Sequence, residues 1–450
     1  MKTISWRLWA ALAAAILPAG MVTGQTTRPF VHVPDPLSGD NPRFRLLPAK
    51  LPQPGQRVVD SRLRTAWTRV TQEPGLRHEY SRHDPFNANR SMIVLMDTAK
   101  GEFRVYSTAV LPYDRKENLV RALEVEEPRW DDSDPNLIWG VHEFRIETVN
   151  VKTGQVAVIK DFTRDATVGP ILKAAPDLYR VTMKDEGEAS MDRRYWALMI
   201  QGSKEDYRPR HLIVWDRKDD RIVGQRELTL KEKDIDWVGM SPLGNWVLIG
   251  GDSETTGELR GLTLANRELT RFHRVDYATA HSDVGLDVDG HEVIVMQNVR
   301  TDRIDLIPLD PKTKPILEAD GSYEGTNRTP LLRLFSSSES PIGLNSGVHI
   351  SCNAPGWCVV STYIEPKLKE QNWLDRSIIL VRLDPRRPRA WYLAKVNSTR
   401  AEYWEETQAT ISRDGSKVVW AANFDEQIGK EKPVLMQLDM PQDWMKLLKD

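Results

Sequence analysis

The sequence predicts an all-β protein, a seven-bladed β-propeller of four-stranded antiparallel blades. Three observations lead there. A unit made of a polar cluster, a short strand, a glycine turn and a β-branched strand recurs seven times. Corresponding turns lie 46 residues apart from Gly244 to Gly290 and 59 from Gly356 to Gly415, somewhat longer than the roughly 40–50 of compact propeller repeats. No helical period separates the units, and a β-sandwich, the competing arrangement, would not require the same unit seven times.

Ahead of the repeats, residues 1–24 carry Lys2 and Arg7, an apolar run from Leu8 to Val22, and small residues before Gln25. This is the pattern of a secretory signal peptide. The run is shorter than the roughly 20 residues a spanning helix needs, so no membrane span is expected after cleavage, and the expected location is secreted or periplasmic. Residues 25–64 contain Pro29, Pro34, Pro36, Pro42, Pro48, Pro52 and Pro54 without a sustained period, and read as an extended N-terminal arm. Residues 65–450 are assigned to the propeller. With 62 basic against 64 acidic residues, the net charge of -2 argues against a protein that grips nucleic acid through bulk charge. An anionic ligand needs a local basic patch.

Taken in order, the first unit runs from Tyr80 through Ser91–Met96 to Tyr106, with a turn at Lys100-Gly101. The second holds Glu127-Pro128-Arg129-Trp130 and Leu137–Gly140, and the third Ser190–Arg194 followed by Tyr195–Met199. A fourth has Asp236–Asn245 before Trp246–Ile249. The fifth runs from His281 through the Asp289-Gly290 turn to Met296, the sixth from Gly347 into the cysteine segment, and the seventh through Asp414-Gly415 to Ala421. Cys352 and Cys358 flank a Pro-Gly turn, which favours a local disulfide closing a hairpin in an exported chain. Two buried thiols are the alternative.

The segments Met240-Ser241-Pro242-Leu243-Gly244-Asn245, Leu286-Asp287-Val288-Asp289-Gly290-His291 and Ile411-Ser412-Arg413-Asp414-Gly415-Ser416 resemble the Ser/Asp-x-Asp-Gly signature of TolB-like propellers. That signature is shared by proteins of unrelated activity and speaks to fold. Within this group, His281 and His349 resemble histidines of adjacent blades in oligogalacturonate lyases, and ulvan lyases are a related architectural type with histidine, tyrosine and arginine at the site. The resemblance implies a divalent metal (Mn, Ca or Zn) held by His281 and His349, with Asp283 as a further ligand. It also departs from the family: Ser351 stands where a second histidine is expected, and Asn345 is not the expected glutamine.

Residues leading into the inner strands gather at one channel mouth, so the polar residues there are the candidates for chemistry. β-Elimination from a uronic acid needs a cation opposite the carboxylate and a base for the α-proton. His83, Tyr80, Arg82 and Arg129 are the catalytic candidates. Arg193, Trp130, Trp237 and Asn345 are the substrate-binding candidates, the tryptophans by stacking on a sugar ring. Each has a plainer reading: a histidine at an inner strand also serves as a hydrogen bonder between blades, Asp283 and Asp287 also cap turns, and Glu405-Glu406 reads as a solvated pair, the alternative being one carboxylate that faces the channel as a metal ligand. No nucleophile elbow, phosphate loop or His-Glu-x-x-His helix is present. Two functions remain, a lyase acting on an anionic oligo- or polysaccharide and a non-catalytic propeller binding an envelope protein or glycan.

Overall fold

Among the residues described by a computed structural model, seven antiparallel sheets of four or five strands form the seven-bladed propeller, and a two-stranded ribbon, Pro315–Leu317 with Tyr323–Gly325, projects from the fifth blade. The structure describes residues 29–449 except 48–49, 204, 206, 233, 252–258, 277–279, 299–300, 302, 311, 313–314, 318–322, 326, 335–346, 369–371 and 427. The expected leader at 1–24 and Asn345 lie outside the described residues. From the inside outward, the second blade is Glu126–Trp130, Leu137–His142, Arg145–Asn150 and Val156–Asp161, and the third Arg180–Thr182, Tyr195–Gln201, Pro209–Asp216 and Arg221–Glu227. The fourth starts at Ile235–Met240, the fifth at Ser282–Leu286 and the sixth at Val348–Ser351. Among the described residues, no helix is long and apolar enough to cross a membrane.

Closure joins the two ends of the propeller. Thr65–Arg69 pairs with Val434–Asp439, so the seventh blade combines one N-terminal strand with Thr410–Ile411, Lys417–Ala422 and Val434–Asp439. The proline-rich arm adds Arg57–Asp60 outside that strand and Val31–His32 on the outer edge of the sixth blade. Phe30 is buried beside Trp444 in the apolar cluster shared by these two blades, so the arm is stitched across the closure seam.

Between blades, facing sheets bury apolar side chains on both sides. Trp139 of the second blade packs on Trp196 of the third, and Trp215 and Phe162 complete the cluster. The turns after the inner strands demand left-handed backbone. Gly290 and Gly415 have φ of +82° and +68°, a region that glycine occupies without steric cost. Asp287 Oδ1 accepts from the backbone N–H groups of Asp289 and His291 and fixes the turn. Cys352 and Cys358 form a disulfide within the sixth blade.

The first blade departs from the sequence expectation. Its inner strand begins at Leu76–Arg77, ahead of the polar cluster. The chain then leaves the ladder, passes through the channel as residues 78–85, and rejoins at the Phe86–Ile93 bridge. His78, Tyr80, Ser81, Arg82, His83 and Asp84 are all buried on this excursion. They displace the solvent that an open channel would hold.

Candidate functional site

The excursion reaches every other blade. Tyr80 Oη lies 3.4 Å from His281 Nδ1 of the fifth, and its ring meets His349 of the sixth edge-on at 5.4 Å. Arg82 pairs with Glu186 of the third blade at 3.0 Å and stacks over Trp237 of the fourth at 4.3 Å. Arg129 of the second blade has Nη2 2.7 Å from His83 Nε2 and donates to Glu79 at 2.6 Å. Thr410 of the seventh donates to the His83 carbonyl. A second excursion, residues 183–187 of the third blade, meets the first: the Asp185 carbonyl receives Arg129 Nη2 at 2.8 Å and lies 2.6 Å from His83 Nε2.

Two regions result. At the mouth where inner strands begin, the upper mouth, the His281 and His349 rings meet at an inclination of 59° with centroids 4.4 Å apart. His349 Nε2 lies 2.6 Å from Glu406 Oε2, and Arg400 Nε reaches the other carboxylate oxygen at 3.2 Å. His349 Nδ1 is buried without a partner. Burial works to raise the Glu406 pKa, but the His349 hydrogen bond and the charges around it hold it at about 2, so it is ionised. Desolvation, with His349 beside it, depresses His281 to about 3, leaving a neutral imidazole. Burial drives the Tyr80 phenol well above its ordinary value, so it keeps its proton.

This upper mouth opens into a cavity lined by Glu79, Tyr80, Glu126, Glu127, Arg180, Lys184, Asp185, Glu186, Asp236, Tyr403 and Trp404. Carboxylates outnumber cations. Burial raises Glu79 to about 7, and it raises Glu127 and Glu186 as well.

The other end, where inner strands turn back, holds Arg193, Arg413, Glu188 and Asp283. Arg193 donates to the Trp130 carbonyl at 2.9 Å and reaches Glu188 at 3.4 Å. Arg413 pairs with Glu188 at 3.0 Å and with Asp132. Asp283 accepts from the backbone N–H groups of Val284 and Cys352 at 2.8 and 2.6 Å, and desolvation lifts its pKa to about 7.

The sequence candidates therefore divide. Tyr80, His281 and His349 come together at the upper mouth. Arg82, His83 and Arg129 form the layer beneath, each buried. Asp283 and Arg193 face the lower end. Trp130 is buried and donates its indole N–H to the Pro85 carbonyl, which makes it packing and leaves no face for a sugar. Trp237 is occupied by Arg82. Glu405 and Glu406, expected as a solvated pair, are both buried: Glu405 closes a capping box with Glu402, and Glu406 holds His349. Glu79, Glu186, Glu188 and Arg413 escaped the sequence reading. The acidic run Asp185-Glu186-Gly187-Glu188 is the signal that could have found two of them.

The expected ligand set does not assemble at the centre among the described residues: Asp283 belongs to the lower end and Ser351 Oγ is tied to Thr410 and Ile411, which leaves His281 and the unpartnered Nδ1 of His349 as imidazole donors. Among the described residues, one trio brings three potential ligand atoms within 4.8 Å of one another: Asp287, Asp289 and His291, in the turn of the fifth blade.

Comparison with known proteins agrees with the fold. No family model matches the chain, and no curated protein matches it. Among solved structures, oligogalacturonate lyase from Vibrio parahaemolyticus aligns over 86% of this chain and 97% of its own, with a TM-score of 0.53 and 11% identity. An oligogalacturonate lyase in complex with manganese aligns over 87% and 99%, with a TM-score of 0.53 and 12% identity. The chain thus shares the seven-bladed propeller architecture of oligogalacturonate lyases.

Proposed function

We propose that the protein is a lyase-like propeller that acts outside the cytoplasm on a uronate-containing saccharide at its upper mouth. The observation that carries this reading is the convergence of Tyr80, His281, His349 and Glu406. Ionised Glu406 fixes and orients the buried His349 ring. His281 is neutral at physiological pH; the burial that holds its pKa at about 3 also makes it a weak base, and a uronate carboxylate seated beside it would raise that pKa toward the working range. Tyr80 lines the mouth and donates toward His281, so its phenol can protonate a departing oxygen. In the elimination, the α C–H proton passes to His281, the glycosidic C–O bond breaks, and a C=C bond forms. The leaving oxygen takes the Tyr80 proton, which returns from the imidazole. Lys184, the most exposed cation of the mouth and ion-paired at 3.3 Å with the exposed Asp236 carboxylate, is the counter-ion for the uronate carboxylate once it exchanges that partner. Arg82 and Arg129 are sealed in ion pairs and hold the two excursions in place. No step is assigned to a metal.

A second reading is favoured by the excess of carboxylates at the same mouth: a non-catalytic propeller docking a cationic envelope partner. One experiment separates the two. Purified protein is incubated with pectic, ulvan and alginate-type polymers while the near-ultraviolet absorbance of unsaturated uronate is followed. A signal lost in Tyr80→Phe supports the lyase; silence on all three polymers sinks it.

A further inference from the structure

Opposite the upper mouth lies a second cavity that the elimination does not use. Its walls are apolar, formed by Trp237, Met240, Leu248, Val284 and Leu286, and its polar end is formed by Arg82, His83, Glu186, Glu188, Asp283 and Arg413. Glu186 lines both cavities, so the Arg82–Glu186 ion pair is the partition between them.

The charges at the polar end are already satisfied. Arg82 is neutralised by Glu186, and Arg413 by Glu188 and Asp132. Asp283 rests on two backbone N–H groups. A charged ligand entering here would surrender its hydration without finding a free counter-ion, a heavy cost in a buried site.

Two polar atoms are nevertheless unsatisfied: Arg82 Nε and His83 Nδ1 are buried without hydrogen-bond partners, on side chains 6% and 5% exposed. His83 Nε2 faces both the Asp185 carbonyl, which only accepts, and Arg129 Nη2, which only donates, so the ring proton can sit on either nitrogen and Nδ1 offers a bound group an acceptor or a donor. Arg82 Nε–H is a donor lacking an acceptor. Two such buried polar atoms each carry a desolvation penalty that one bound group can remove.

We propose that this lower cavity is a binding site for a small neutral molecule with an aromatic or branched apolar body and an amide or hydroxyl head. The head accepts from Arg82 Nε and hydrogen-bonds to His83 Nδ1, as an amide or hydroxyl can in either direction, while the body packs between Trp237, Met240, Leu248 and Val284. Its position behind the ion-pair partition makes it distinct from the saccharide mouth.

Benzamide is a suitable probe, with benzoate and benzylamine as anionic and cationic counterparts of similar shape. Binding to the full chain is followed by saturation-transfer NMR and calorimetry. Saturable binding of benzamide, at least about tenfold tighter than either charged counterpart, is the expected result. Val284→Trp should abolish it by filling the cavity, with an unchanged far-ultraviolet spectrum and a cooperative melt showing that the variant folds. The proposal is overturned if benzamide fails to bind, if either charged probe matches it, or if folded Val284→Trp binds benzamide as the parent does. Should Val284→Trp not fold, the ranking of the three probes on the parent chain still decides.

Discussion

Glu406 Oε2 and His349 Nε2 face each other at 2.6 Å with both side chains sealed from solvent. A buried carboxylate so placed does two things. It selects the ring nitrogen that carries the proton, and it brings a negative charge under the His281–Tyr80 pair. Glu406→Gln keeps the shape and removes the charge. Its cost in stability should be about 1–3 kcal/mol, the usual range for a buried hydrogen-bonded group left poorly matched, read by denaturant unfolding. Any uronate elimination should fall by about 100-fold or more, the scale of losing an oriented acid–base group. Saccharide binding should change little, because Glu406 does not line the mouth; a loss of binding equal to the loss of turnover would refute the orienting role.

Arg82 is the hub of the channel. It contacts Glu186, Ser282 and the Trp237 ring, joining the first, third, fourth and fifth blades. Removing it leaves Glu186 without its counter-charge, and breaking such a pair on one side costs about 3–5 kcal/mol. Arg82→Met should fall at the upper part of that range, and Arg82→Met with Glu186→Gln should recover a substantial share. Additive losses in the double-mutant cycle would show that the pair is not coupled.

The disulfide closes a short loop, with a sequence separation of 6. Loop-closure entropy for so small a ring is worth about 2 kcal/mol. Replacing both cysteines by serine should lower stability by about that much, and the unfolded, unreduced parent chain should show no titratable thiol. A thiol signal from the parent would contradict the bond. The exchange also reaches the lower cavity, since Cys352 supplies one of the N–H groups on which Asp283 rests.

How far the sequence could be read depended on where pattern and geometry coincide. Gly244, Gly290, Gly356 and Gly415 all have positive φ, so the turns announced themselves through the one residue that tolerates that backbone. His281 and His349 were legible for the same reason: they stand beside regular inner strands, and blade geometry brings such positions together. The path of residues 78–85 was not. Its polar run reads like a lead-in to the strand that follows, because residue pattern records period and not the point at which a ladder is interrupted. Glu406 was legible as a residue near the mouth but not as the buried partner of His349, because an adjacent Glu-Glu pair looks solvated until tertiary packing buries it. The arm's prolines hid two short edge strands, which sit where proline is tolerated, at the outside of a sheet.

The acid response of the fold follows from opposing buried groups. His281 has its pKa held at about 3, and His78 and His83 lie well below their ordinary value, all through burial first. Each is neutral when folded, while the unfolded chain binds the proton below about pH 6.5, so these groups withdraw stability as the pH falls. Asp283 and Glu79 are raised to about 7 and Asp84 to about 6, again chiefly by burial. These bind protons in the folded state first and restore stability over the interval from about 7 down to about 4. The two sets offset each other, so stability should vary little between pH 7 and 5. Below about 3.5 the raised acids are protonated in both states and contribute no further change. Glu406 and Glu188, both held at about 2, then join the histidines in withdrawing stability, and unfolding should become steep. Asp283→Asn is the informative variant, because it deletes one restoring group without touching the histidines. Its stability should fall on acidification from pH 7 to 5 with a slope up to about 1.4 kcal/mol per pH unit greater than the parent's. Urea unfolding of both chains across that range measures the difference, and parallel curves would show that Asp283 titrates normally.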